Sequence, residues 1–124
     1  MRRLGSLAGA VALAVWFVAL GAGAADAQDG FRITYEVDRS RVERARLTGR
    51  VVNERAEDVF EVSVTAEALD ARGKVLSRGI TYVDARIARG DGRAFSVSVP
   101  VVTGTASFRV VVSSYRAGGA GQGP

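Results

Sequence analysis

The chain of 124 residues contains no cysteine and no histidine. Without cysteine there is no disulfide framework, no thiol nucleophile and no zinc site built on thiolates. Without histidine the commonest general base, the Ser–His and Cys–His nucleophile systems and the commonest metal ligand are all missing. The composition therefore argues against an enzyme of the ordinary kinds and predicts a non-catalytic protein without a cofactor.

Lysine is almost missing as well, because Lys74 is the only lysine among the 17 basic residues. The other basic residues are arginines, and the formal net charge of the whole sequence is +4. The length allows one domain. A surface rich in guanidinium groups is therefore the most conspicuous polar feature that this domain can present.

The first 27 residues are typical of an export signal. Arg2 and Arg3 supply a positive start, an apolar stretch from Leu7 to Leu20 follows, and a small-x-small cleavage motif ends at Ala27. We predict a signal peptide over residues 1–27, cut after Ala27, and a secreted or periplasmic protein. The alternative is a retained membrane anchor, since the apolar stretch approaches the ~20 residues that span a bilayer.

The remaining chain alternates between apolar and polar residues with a period of two. Phe31, Ile33, Tyr35 and Val37 alternate with polar residues, and similar patterns recur up to residue 113. Turn sequences rich in Asp and Gly separate them. This pattern predicts an all-β protein, an antiparallel immunoglobulin-like β-sandwich of six to seven strands over residues 28–116. A flexible Gly-rich tail is predicted over 117–124.

Aromatic residues on the apolar sides of these strands are predicted to form the core: Phe31, Tyr35, Phe60, Phe95 and Phe108. They do not interleave with arginines, as they would on a platform that stacks single-stranded nucleic acid. No specific nucleic-acid partner is therefore expected.

Three segments together carry a resemblance to a known family. They are Leu47–Asn53, Val62–Ala66 leading into an Asp-x-x-Gly-Lys hairpin at 70–74, and a Gly-Asp turn before Phe95. This layout resembles the FxLYD family of bacterial and archaeal envelope domains, and it is similar to the water-stress and late-embryogenesis-abundant type of sandwich. Of the Phe-x-Leu-Tyr-Asp signature, the segment keeps Asp70. The resemblance implies an extracytoplasmic immunoglobulin-like module and no particular activity.

The arginines supply the candidate binding residues. Arg44, Arg46 and Arg50 project from one face of one predicted strand, and Arg39 and Arg41 lie just before it. Several guanidinium groups on one face concentrate positive potential, which attracts an anionic surface. These five arginines are therefore the candidate sites for an anion or another partner.

The pairing of the arginine strand leaves two alternatives. If residues 45–53 form a hairpin with residues 58–69, Arg50 faces Glu61 and Arg44 faces Glu67. The carboxylates then cancel the positive potential. An immunoglobulin topology sends the two strands to opposite sheets and leaves the arginines less neutralised.

Three functions follow from these features. The first is a protein-interaction or assembly module of the cell envelope, which pairs an edge strand or a face with another envelope protein. The second is binding of acidic lipid or polyanion through the arginines. The third is a small hydrolase that needs no histidine and uses carboxylates in the loops: Glu54, Glu57, Asp58, Asp84 and Asp91.

Overall fold

The structure, a computed structural model, describes residues 28–118. A short 3-10 turn at Gln28–Gly30 leads into six strands: β1 (Phe31–Asp38), β2 (Arg44–Asn53), β3 (Val59–Leu69), β4 (Val75–Ile87), β5 (Gly92–Pro100) and β6 (Ser107–Ala117). The predicted signal peptide lies outside the described residues, as does residue 119 onward of the predicted tail. Within residues 28–118 no helix has the length and apolarity needed to cross a bilayer.

Two antiparallel sheets of three strands form the sandwich. The first sheet has the order β1-β2-β5, and the second sheet has the order β4-β3-β6. The chain changes sheet three times, between β2 and β3, between β4 and β5, and between β5 and β6. The structure thus confirms the prediction of an all-β immunoglobulin-like sandwich, with six strands in the described chain.

The core lies where the two sheets face each other. In the first sheet Ile33 is opposite Val51, and Leu47 is opposite Val97, all of them buried. In the second sheet Val64 is opposite Val112 and is also buried. Alternate residues of each strand point inward because successive side chains of a strand leave on opposite sides.

The hairpin alternative for the arginine strand is wrong, because β2 and β3 belong to different sheets. Glu67 lies instead on the outer face of the second sheet, near the end of its central strand β3. There it accepts hydrogen bonds from Arg109 on β6 at 2.9 Å and from Arg78 on β4 at 3.4 Å. Glu61 accepts a hydrogen bond from the Tyr82 hydroxyl at 2.9 Å. Neither carboxylate neutralises β2.

The expectation that Phe60 belongs to the core is also wrong. A bulge in β3 places Glu61 at a positive φ of 52° and shifts the register between Phe60 and Ser63. Val59 and Val62 consequently both face the core, while Phe60 is turned outward and half-buried. The guanidinium of Arg116 covers its ring at 5.1 Å.

The two sheets approach closely at the β4–β5 side of the sandwich. The hydroxyl of Ser77 donates to the carbonyl of Pro100 at 2.5 Å. A Cβ placed on Gly79 would overlap the carbonyl of Ser98, so this approach requires glycine. On the opposite side of the sandwich, the Tyr35 hydroxyl donates to the carbonyl of Phe108 at 3.0 Å.

Candidate anion-binding surface

The strand directions divide the sandwich into two ends. We call residues 38–46, 70–74 and 101–106 the loop end; they contain the β1–β2, β3–β4 and β5–β6 connections. We call residues 54–58 and 88–91 the paired end; they contain the β2–β3 and β4–β5 connections. The loops of each end meet because every strand runs antiparallel to its neighbours.

Most charges at the paired end and beside it are matched by nearby opposite charges. Arg86 binds Asp58 at 2.6 Å, while Arg93 binds Asp84 at 2.8 Å and Asp91 at 2.7 Å. Two further pairs there join Arg32 to Glu54 at 2.8 Å and Arg55 to Glu57 at 3.2 Å. Such pairs add little stability when exposed, but they cancel the local field.

The loop end carries an excess of positive charge. Six cations lie there against three carboxylates: Arg39, Arg41, Arg44, Arg46, Arg72 and Lys74 against Asp38, Glu43 and Asp70. The rest of residues 28–118 holds nine cations and nine carboxylates. The salt bridges among the described residues reach none of the six loop-end cations. The whole charge excess of the described chain therefore lies at one end.

Three arginines of the loop end border one cavity on the outer face of the first sheet. Its volume is about 350 Å³, and Arg41, Arg44 and Arg46 line it together with Asp38, Ser40, Ala45 and Ser98. The cavity is large enough for a phosphate-sized group. Guanidinium groups suit this ligand chemistry, because their planar set of donors matches the oxygens of phosphates and carboxylates.

The carboxylate of Asp38 in this cavity is already engaged by its own turn. It accepts the backbone N–H of Ser40 at 2.9 Å. This hydrogen bond first, then one from the Ser40 side chain and then the charge of Arg46, lowers the pKa of Asp38 below its ordinary value of 3.8. Asp38 therefore stays ionised at neutral pH and helps to orient the loop.

Asp70 at the loop end serves a hairpin in the same way. Its carboxylate accepts the backbone N–H groups of Arg72 and Lys74, both at 2.8 Å. The hydrogen bond from Lys74 is the main reason why the pKa of Asp70 is lowered. The turn engages the carboxylate through backbone groups, and the side chains of Arg72 and Lys74 are exposed to solvent.

The structure brings together three of the five candidate arginines. Arg41, Arg44 and Arg46 line the cavity. Arg39 instead lies over the ring of Phe108 at 5.4 Å, and Arg50 points a guanidinium nitrogen at the carbonyl of Gly92, 3.4 Å away. Arg50 thus belongs to the other half of β2.

Sequence reasoning missed the second group of loop-end cations, Arg72 and Lys74. They lie about thirty positions after the arginine segment, in a hairpin of the opposite sheet. No local pattern relates two such segments. They share a surface only because the fold sends both loops to the same end.

The carboxylates that the hydrolase alternative requires are held by arginines and backbone donors, and Asp84 lies in β4 rather than in a loop. The Arg89 backbone N–H lowers the pKa of Asp58, while the pKa values of Asp84 and Asp91 are lowered mainly by the Arg86 backbone N–H and the Arg93 side chain, respectively. A general acid for glycoside cleavage needs a carboxyl whose pKa is raised. The arrangement therefore disfavours the hydrolase. Within residues 28–118 no group of three or more acidic side chains is placed to hold a metal ion.

A different surface, the outer face of the second sheet, exposes large apolar side chains. Ile80 is 69% exposed and Tyr82 is 56% exposed, and both lie on β4. Thr65 of β3 lies between Ile80 and Val111 of β6. This face is therefore partly apolar, in contrast to the basic loop end.

Comparison with known proteins adds little to these observations. No protein-family model matches the sequence, and no curated protein matches it. A solved structure of a beta-glucuronidase from glycoside hydrolase family 2 is similar, with a TM-score of 0.40 and 18% identity. The likeness covers 58% of this chain and 7% of that enzyme. A likeness this low carries no argument about activity, and the FxLYD resemblance stays a prediction.

Proposed function

We propose that the protein is an exported, non-catalytic binding module that holds an anionic partner at its loop end. The observation that carries this proposal is the separation of charge, since six cations without a salt bridge gather at one end while charges elsewhere balance. The absence of histidine and cysteine supports the non-catalytic part of the proposal.

The physical reason for binding is direct. Each cation near an anionic surface contributes about 1 kcal/mol, and the contributions weaken within a Debye length of ~8 Å at physiological salt. The cavity between Arg41, Arg44 and Arg46 adds a place where a single phosphate or carboxylate can enter. The partner is therefore recognised by charge over a surface and by one oxyanion at the cavity.

The test compares two variants that lose the same charge. The triple variant Arg41→Gln, Arg44→Gln, Arg46→Gln removes the cavity arginines. Its control, the triple variant Arg32→Gln, Arg89→Gln, Arg116→Gln, removes three cations from the paired end and nearby strands. We expect the first to bind inorganic polyphosphate about a hundredfold more weakly than wild type. The control should lose much less, and wild-type affinity should fall as salt is raised.

Equal losses in both variants would contradict a localised site. Affinity for polyphosphate that stays constant from low to high salt would contradict an electrostatic binding site. All six replaced arginines are exposed, so we expect both variants to fold. Circular dichroism melts of both variants check this.

A second function, binding of another envelope protein, is favoured by the exposed Ile80 and Tyr82. Aromatic and aliphatic side chains on an open sheet face are typical of protein contacts. We expect the double variant Ile80→Ser, Tyr82→Ser to lose a protein partner that the wild type retains in pull-downs from envelope extracts. A variant of the loop end, Arg41→Gln, is the matched control. Identical partners for all three proteins would contradict this function.

A further inference from the structure

The three connections of the loop end form one continuous surface. The backbone N–H of Val101 donates to the carbonyl of Glu43 at 2.9 Å, which joins the β5–β6 connection to the β1–β2 connection. The N–H of Ala106 donates to the carbonyl of Leu69 at 2.7 Å, which joins it to the β3–β4 side. The cations of the β1–β2 and β3–β4 regions therefore face solvent at the same end, with the β5–β6 connection joined to both.

Two valines are exposed on this surface. Val42, at the β1–β2 connection, is 88% exposed, and Val102, at the β5–β6 connection, is 40% exposed. Val42 lies between Arg41 and Glu43, in a loop otherwise made of charged and polar residues. Large apolar side chains exposed to this degree elsewhere in the described chain are Ile80 and Tyr82, which lie on a flat sheet face.

We infer that the anionic partner is the surface of a lipid bilayer, with Val42 and Val102 entering the boundary between headgroups and acyl chains. This inference rests on the proposed function and names its ligand. Apolar tips on an end that carries an excess of positive charge match a bilayer, because its surface offers negative headgroups above an apolar phase. A soluble polyanion offers no apolar phase, so the exposed valines would contribute nothing to its binding.

The cations and the valines contribute to membrane binding through different interactions. The loop-end cations attract the domain to acidic headgroups, and the cavity lined by Arg41, Arg44 and Arg46 can receive the phosphate of one headgroup. The valines add a contribution that depends on apolar burial and is insensitive to salt. The sandwich itself stays above the bilayer, since the residues of its core are already buried between the two sheets.

The experiment measures how much of the protein binds to lipid vesicles, and it uses the protein in the form that cells produce. Vesicles of phosphatidylcholine with about one third phosphatidylglycerol are compared with vesicles of phosphatidylcholine alone, because only the first carry a negative surface potential. The double variant Val42→Ser, Val102→Ser is compared with wild type on both, and inorganic polyphosphate serves as the soluble anion.

We expect the valine variant to bind acidic vesicles about tenfold more weakly, because it loses the burial of two partly inserted side chains. Its affinity for polyphosphate should equal that of the wild type. Val102→Leu is the matched variant, since it enlarges the inserted tip, and it should bind acidic vesicles more tightly.

Each other outcome overturns the inference in a distinct way. Equal vesicle binding by wild type and the valine variant would contradict insertion into the bilayer and leave the proposed anionic site intact. Binding to neutral vesicles that is as tight as binding to acidic vesicles would contradict a role for the cations. If the wild type bound neither acidic vesicles nor polyphosphate, the proposed function itself would fail.

Discussion

At the scale of single residues, Asn53 is the polar side chain on which the paired end depends most. It is fully buried. Its amide nitrogen donates to the carbonyls of Glu57 at 2.9 Å and Ile87 at 3.0 Å. Its amide oxygen accepts the backbone N–H of Arg55 at 2.9 Å. One side chain thereby joins the β2–β3 connection to the end of β4.

We predict that Asn53→Ala lowers the free energy of unfolding by about 3 kcal/mol, because three backbone groups lose their partner in a buried place. For a domain of this size the melting temperature should fall by about 10–20 °C. Thr48→Ala on the exposed face of the same strand is the control and should change stability by less than about 0.5 kcal/mol. Urea unfolding curves that coincide for the two variants would contradict this role of Asn53.

The burial of most single residues follows from the sequence, whereas the role of Asn53 does not. Alternation identifies Phe31, Ile33 and Leu47 as inward residues, and all three are buried. Asn53 ends β2 with a polar side chain, which looks like the edge of a strand facing water. Its burial depends on Glu57 of the β2–β3 connection and Ile87 at the end of β4 both reaching it, and that requires the tertiary fold.

At the scale of elements, the alternation that predicts strands also explains why their pairing stays open. Two alternating strands can be aligned in a hairpin so that apolar faces match and charges oppose, as β2 and β3 can. The actual partners of β2, which are β1 and β5, match their inward residues equally well. Period-two patterning specifies which face of a strand is buried, but several partners satisfy it.

Irregularities within elements are harder still to foresee. The bulge at Glu61 in β3 reverses the inward side, so that Val59 is buried and Phe60 is not. Phe60 satisfies the alternation when it is read without a bulge, and Glu61 is not a residue type that favours positive φ. The bulge coincides with shifts in the register of β3 against both β4 and β6, which the sequence of β3 alone does not reveal.

At the scale of the whole molecule, charge is distributed along the long axis of the sandwich. The described residues carry 15 cations and 12 carboxylates, and the entire excess lies at the loop end. The sequence predicts the contribution of Arg41, Arg44 and Arg46, because they lie close together in the chain. The addition of Arg72 and Lys74, and the neutrality of the paired end, depend on which loops meet. The proposed function follows from this distribution, and the proposed membrane contact adds the two valine tips.

The most direct test of the central claim is nuclear magnetic resonance mapping of backbone amides during titration with inorganic polyphosphate. We expect the shifts to be confined to residues 38–46 and 70–74 and the adjoining β5–β6 connection, and to shrink as salt is raised. The amide signals of residues 54–58 and 88–91 should not shift. Shifts centred on those two paired-end segments, or no shifts at all at low salt, would contradict the account.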